Sequence, residues 1–192
     1  MTARLILICH ASTDAVRGSS FPADEPIDER GRKRATALAA QLPRGAQSWT
    51  SPELRTRQTA EALGLTAAPL PALCDCNYGS WTGHNFDDVL AREAAAVSNW
   101  LRDPAAKPPG GESMLSLMQR VAGWLDGENG RTGPSIVVTH ATIIRAAIVH
   151  AIKAGPESFW RIDIAPLSVT QLSGKDGRWN LTCAGCASPA IA

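Results

Sequence analysis

The chain has 192 residues, 44% of them hydrophobic and 19% charged, and a formal net charge of +1. This is ordinary globular composition, expected as one domain over residues 1–192 with room for a sizeable core. The near-neutral balance excludes a nucleic-acid or anionic-membrane footprint, and no run approaches the roughly 18 apolar residues of a membrane span.

Met1-Thr2-Ala3-Arg4 leads straight into Leu5-Ile6-Leu7-Ile8-Cys9, a buried strand that stops at His10. The apolar run is too short for a secretory leader, so a cytoplasmic location is expected. Residues 14–27 carry Gly18, Ser19, Ser20, Pro22 and Pro26 and read as a loop. A helix starts at Asp28-Glu29-Arg30, with Ala35, Leu38, Ala39 and Leu42 on one face, and Pro43 ends it. Residues 46–50 form a short strand. Ser51 is expected as the N-cap of the next helix, with Pro52 in the first turn and Gly64 at its end.

Residues 66–73 read as a weak edge strand with two prolines, and 74–84 as a loop. Helices are expected over 85–101 and from Glu112 to about Leu125, separated by a Pro/Gly loop. Residues 135–139 form a second buried strand, which stops at His140, and 141–153 a helix behind it. Val169–Leu172 and Trp179–Leu181 read as a hairpin around Gly174–Gly177, with the tail from Ala184 to Ala192 free to pair or fray. This alternation predicts a three-layer α/β/α sandwich with a mainly parallel sheet. In such sheets, ligands bind outside the carboxyl ends of the strands, where His10 and His140 both fall.

Five cysteines make an odd number, against a complete disulfide framework. Cys183-x-x-Cys186 has a spacing that suits zinc, but Cys74 and Cys76 stand one residue apart and no knuckle glycines support a four-thiolate site. Free thiols, with no metal and no cofactor, are the expectation.

Taken singly, a histidine at a strand end is more often a core residue than a catalyst. Here, however, five segments stand in order: Cys9-His10-Ala11-Ser12-Thr13, Ser51-Pro52-Glu53-Leu54-Arg55-Thr56-Arg57-Gln58-Thr59-Ala60, Asp75-Cys76-Asn77-Tyr78-Gly79-Ser80-Trp81-Thr82-Gly83, Pro109-Gly110-Gly111-Glu112-Ser113 and Thr139-His140-Ala141-Thr142. In this order they resemble the histidine phosphatase superfamily, the branch that includes cofactor-dependent phosphoglycerate mutase. The resemblance runs from residue 4 to about 182.

The resemblance implies a phosphohistidine mechanism on a small phosphorylated metabolite. His10 would be the nucleophile, Arg55 (rather than Arg57) and His140 the groups on the phosphoryl oxygens, and Asp75 the general acid. Position 75 usually carries Glu in that family, so the acid here reaches about one methylene less far. Ser12, Tyr78, Trp81, Glu112 and the Ala141 N–H would surround the substrate, with Glu112 organising the site. Trp81 can equally be a core aromatic, and Arg145 reads as a structural helix residue. The binding partner expected is such a substrate or inorganic phosphate, and the sequence leaves a homodimer open.

Cys9 departs from the pattern, which puts arginine there. Arg17 is the nearest cation in sequence that can replace it. Otherwise the substrate is less charged or the enzyme slow, or the pocket only binds an anion in a regulatory role. Cys9 as a nucleophile is disfavoured, because cysteine phosphatases place arginine after five intervening residues and here there are seven. A mutase-type transfer is the weaker alternative, since the segment between Gly83 and Pro108 is short for the enclosed pocket it needs.

Overall fold

A computed structural model describes residues 2–128 and 133–187. Its framework is one six-stranded sheet: β1 (Ala3–Cys9), β2 (Gln47–Thr50), β3 (Ala68–Pro69), β4 (Gly133–Thr139), β5 (Val169–Lys175) and β6 (Arg178–Cys186), in the order β3-β2-β4-β1-β5-β6. The first four strands in that order are parallel, β5 runs antiparallel to β1, and β6 runs antiparallel to β5. The expected α/β/α architecture with a mainly parallel sheet is therefore the one observed.

The β1 run is apolar without alternation because both faces of the sheet are covered. Leu5, Leu7 and Cys9 share a core with α4 (Phe86–Arg102), α5 (Met114–Glu128) and α6 (Ala141–Ala151). Ile6 and Ile8 pack on the other face against α2 (Glu29–Ala39) and α3 (Leu54–Ala62). The region expected as a loop contains one short helix, α1 (Asp14–Arg17), capped by the Thr13 hydroxyl. No helix among the described residues is long and apolar enough to cross a membrane.

Local differences from the expected elements have local causes. The edge strand shrinks to Ala68–Pro69 before a 3-10 turn at Pro71–Leu73, as its prolines require. Ser51 is not an N-cap: α3 begins at Leu54, and the Ser51 hydroxyl turns to Glu53 and His140 instead. Cys183 and Cys186, expected as free thiols, are joined in a disulfide on β6, which leaves Cys9, Cys74 and Cys76 free. Residues 188–192 of the expected tail lie outside the described residues.

The loop after β3 is held at the sheet's carboxyl edge by a second loop. Ser80 N donates to Pro109 O at 3.0 Å and Glu112 N to Asn77 O at 2.7 Å. Gly79 makes this approach feasible: its φ is +55°, and a Cβ there would lie 2.2 Å from Pro109 O. Gly79→Ala is expected to cost about 2 kcal/mol or more, because both the dihedral and the backbone contact must give. An unchanged urea midpoint in that variant contradicts this account of the loop.

Candidate active site

Parallel pairing sets the two imidazoles side by side. Cys9 registers with Thr139, so the next residue on each strand is a histidine leaving the same edge. The His10 backbone N–H donates to Thr139 O at 2.8 Å, and the two rings sit 5.3 Å apart at 62°. Both side chains are buried.

The His10 tautomer follows from its neighbour. Nδ1 lies 2.7 Å from Ala11 O, and a carbonyl only accepts, so Nδ1 carries the hydrogen and Nε2 keeps its lone pair. Burial, reinforced by His140 and Arg55, lowers the imidazole pKa to about 3. His10 is thus neutral throughout the physiological range, the form able to attack an electrophile. Thr59 steadies the turn behind it: its Oγ1 accepts from Ala11 N at 2.9 Å and donates to Arg55 O at 2.7 Å.

Arg55 is fully buried, in the first turn of α3. Its Nη1 donates to Ala23 O and its Nη2 to Asp75 Oδ2, each at 2.7 Å. Asp75 is held further by the Thr142 hydroxyl and the Cys76 N–H. Burial alone pushes a carboxyl pKa up. Here His140, Arg55, Thr142 and the Cys76 N–H outweigh it and bring Asp75 down to about 2. In the ligand-free site Asp75 is therefore a carboxylate, the reverse of the raised pKa an acid would need.

His140 lies between two carboxylates. Its Nε2 is 2.9 Å from Ser51 Oγ and 3.3 Å from Glu53 Oε2, and its Nδ1 is 3.4 Å from Asp75 Oδ2 without hydrogen-bond geometry. Glu53 also accepts from Asp75 N at 3.0 Å. It is buried enough to raise its pKa, but the hydrogen bond and charge of His140 together with the Asp75 N–H bring it below the usual value. Sequence reasoning took Glu53 only as an acidic helix start and passed over Thr142. The signal that finds both is position: each lies two residues past a strand-terminal site residue.

The remaining expected residues divide. Tyr78 is buried beside Phe21. Trp81 is a core aromatic whose Nε1 donates to Glu93 Oε2 at 3.1 Å, at the kink of α4. Glu112 meets Arg120 at 2.8 and 3.2 Å, and Arg120 in turn donates to Ala72 O and Cys74 O, bracing the segment that carries Asp75. Ser12 turns to Asp28. Arg17 pairs with Asp14 and Asp28 on the surface, its side chain about half exposed, and so stands away from the imidazoles.

Burial, then Asp75, raises the Cys9 thiol to about 12 against the pull of Arg145, Arg55 and the Ala141 N–H. Cys9 is a protonated, apolar side chain here and offers no thiolate nucleophile.

A model of the histidine phosphatase superfamily (branch 1) matches residues 5–186. A bifunctional protein of Mycobacterium tuberculosis is 31% identical over 183 residues, which cover 88% of this chain and 50% of that protein. The chain thus spans about half the length of the first curated relatives it matches. Phosphoserine phosphatase 1 of Hydrogenobacter thermophilus is 28% identical, with 94% and 93% covered. Among solved structures, mycobacterial glucosyl-3-phosphoglycerate phosphatase superposes with a TM-score of 0.84 at 25% identity, over 97% of this chain and 100% of that one. A putative alpha-ribazole-5'-P phosphatase of Escherichia coli shares the fold, with a TM-score of 0.89 at 21% identity and 99% of each chain covered.

Proposed function

The chain belongs to the histidine phosphatase superfamily, branch 1, and on that premise we propose that it hydrolyses a small phosphomonoester through a phosphohistidine on His10. The observation that carries the reading is the buried, neutral imidazole of His10, with Nδ1 committed to Ala11 O and Nε2 left to react. Support comes from two buried nitrogens beside it, Arg55 Nε and His140 Nδ1, which have no hydrogen-bond partner among the described residues. The Arg55 N–H is a buried donor, costly to leave unpaired, and a phosphoryl oxygen is an acceptor of the right charge for it. The phosphatases among the relatives and solved structures point the same way.

In the first step His10 Nε2 attacks phosphorus in line and the ester P–O bond breaks. The leaving oxygen takes a proton from Asp75. In the second, water attacks phosphorus, the N–P bond breaks, and Asp75 takes the water's proton. Asp75 must be protonated before the first step, although it is ionised in the ligand-free site. A phosphate dianion against Arg55 and His140 supplies the change: it competes for both partners and brings its own negative charge, so the carboxyl pKa rises. Asp75 takes this proton up from water as the substrate binds.

A binding module without turnover is the second reading, and Cys9 in place of the motif arginine favours it. Rapid mixing with p-nitrophenyl phosphate between pH 4 and 8, quenched into base, separates the two. The expected result is turnover together with an 80 Da adduct on the peptide containing His10, since phosphohistidine survives alkali. Neither turnover nor adduct across a broad panel of phosphomonoesters rules the hydrolase out.

A further inference from the structure

Beside the cluster of His10, Asp75 and His140 lies a cavity of about 520 Å³, within the size range of small-molecule sites. It adjoins the candidate site through Thr142, which lines it and hydrogen-bonds Asp75. The Pro22 side of the wall leads to Ala23, whose carbonyl holds Arg55. Phe21, Tyr78, Trp100 and Trp160 make the wall aromatic and apolar, with Phe21 and Trp100 edge to face at 68° and 5.9 Å apart. With Phe86, five aromatics surround one opening, more than the leaving group of a simple aliphatic phosphate needs.

One charged side chain lines this cavity, Arg145, a turn beyond Thr142 on α6. Its Nε donates to Ile162 O at 2.6 Å, and its guanidinium lies 5.6 Å from the centre of the Trp160 ring and 5.9 Å from that of Phe159. These contacts fix its position. Its carboxylate neighbour, Asp163, is 3.9 Å away and fully exposed, so that pairing is weak and readily exchanged. Arg145 lines the same cavity as Thr142 and lowers the pKa of Cys9, the residue before His10, against the effect of burial.

We propose that this cavity holds the leaving group, and that Arg145 selects phosphomonoesters whose leaving group is flat, apolar and carries a carboxylate. The inference rests on the phosphatase reading of the neighbouring site and specifies its substrate class. A planar guanidinium takes a carboxylate through two parallel hydrogen bonds, and edge-to-face rings offer a flat apolar group both stacking and edge contacts. In this proposal Arg145 is a specificity residue in addition to the structural role expected from sequence, which its bond to Ile162 O fits.

Binding of non-hydrolysable phosphonates tests this without relying on turnover. Calorimetric titration of the whole chain compares 4-carboxybenzyl phosphonate, benzyl phosphonate and inorganic phosphate. The carboxylated compound is expected to bind about tenfold tighter than benzyl phosphonate, the worth of one charge-assisted pairing. In Arg145→Gln this ratio should fall to within about twofold. Ser20→Phe, which fills the cavity from its rim, should weaken both aryl phosphonates relative to inorganic phosphate. Equal binding of the two aryl compounds by the unmodified chain overturns the proposal, and so does a ratio that survives Arg145→Gln. If Arg145→Gln weakens inorganic phosphate as much as the carboxylated compound, Arg145 serves the phosphoryl group and the proposal also falls. Preference without any turnover sinks the phosphatase reading alone, whereas turnover without preference sinks only this inference.

Discussion

Replacing His10 with glutamine is expected to abolish turnover and, in the same protein, to make the fold more resistant to acid. The first effect follows from the role of Nε2. Glutamine retains an amide N–H for Ala11 O but has no nucleophile, and loss of a covalent catalyst typically costs on the order of 10⁴-fold or more. The second follows from burial. The imidazole pKa falls from 6.5 to about 3 in the folded chain, mainly through desolvation and then through His140 and Arg55. The unfolded chain binds this proton below 6.5 while the folded chain does not, so stability drops as pH falls across that window. The full effect is bounded at about 5 kcal/mol, at 1.36 kcal/mol per pKa unit. Asp75 acts in the same direction over a lower range. Its contribution is present above its ordinary 3.8 and is lost as pH falls towards 2. Urea midpoints measured from pH 7 to pH 3 should therefore decline steeply in the unmodified chain and much less in His10→Gln until Asp75 begins to titrate. Parallel declines in both proteins mean that His10 is not held neutral by burial, and the nucleophile assignment loses its physical basis.

Much of this site was legible because its residues mark changes of local structure. His10 and His140 end apolar β-branched runs, and a parallel sheet brings such ends to one edge. Arg55 was legible only through the resemblance of its segment to the family, since Arg57 stands as near the start of the same helix. What stayed hidden depends on side-chain direction. Ser51-Pro52-Glu53 has the composition of a helix cap, yet the competing partner, a buried imidazole, draws Ser51 and Glu53 into the site. Arg17 is near Cys9 in sequence, but α1 turns it towards Asp14 and Asp28. Arg145 is distant in sequence from Cys9, but α6 packs back along β1 and returns its charge to that edge. Sequence proximity is a poor guide to electrostatic proximity wherever a crossover helix lies between. The low pKa of Asp75 was hidden for the same reason. Its shift is set by His140, Arg55 and Thr142, from α3 and the segment opening α6, none of them adjacent to it in sequence.

Removing the Arg55 cation tests whether that network is structural, catalytic or both. Arg55→Leu leaves the Asp75 carboxylate almost wholly buried without the guanidinium that meets it at 2.7 Å. Breaking a buried pair from one side typically costs about 3–5 kcal/mol, because the remaining charge is uncompensated. With Arg55 gone, burial meets less opposition and the Asp75 pKa rises, so the carboxyl takes up a proton more readily. Turnover should fall by about 10²–10³, the usual loss when one donor to a developing charge is removed. Asp75→Asn in the same chain separates the two consequences. The double variant Arg55→Leu/Asp75→Asn removes the stranded charge and should recover much of the lost stability, a non-additive result expected for residues in direct contact. It should recover no activity, since both the phosphoryl cation and the proton carrier are then missing. Recovered stability with dead chemistry means that the pair is kept for phosphoryl transfer and not for the fold. If the double variant is no more stable than Arg55→Leu alone, the cost lies instead in the cavity left by the guanidinium and in its lost bond to Ala23 O. Asp75 would then be only a bystander to the stability of the site.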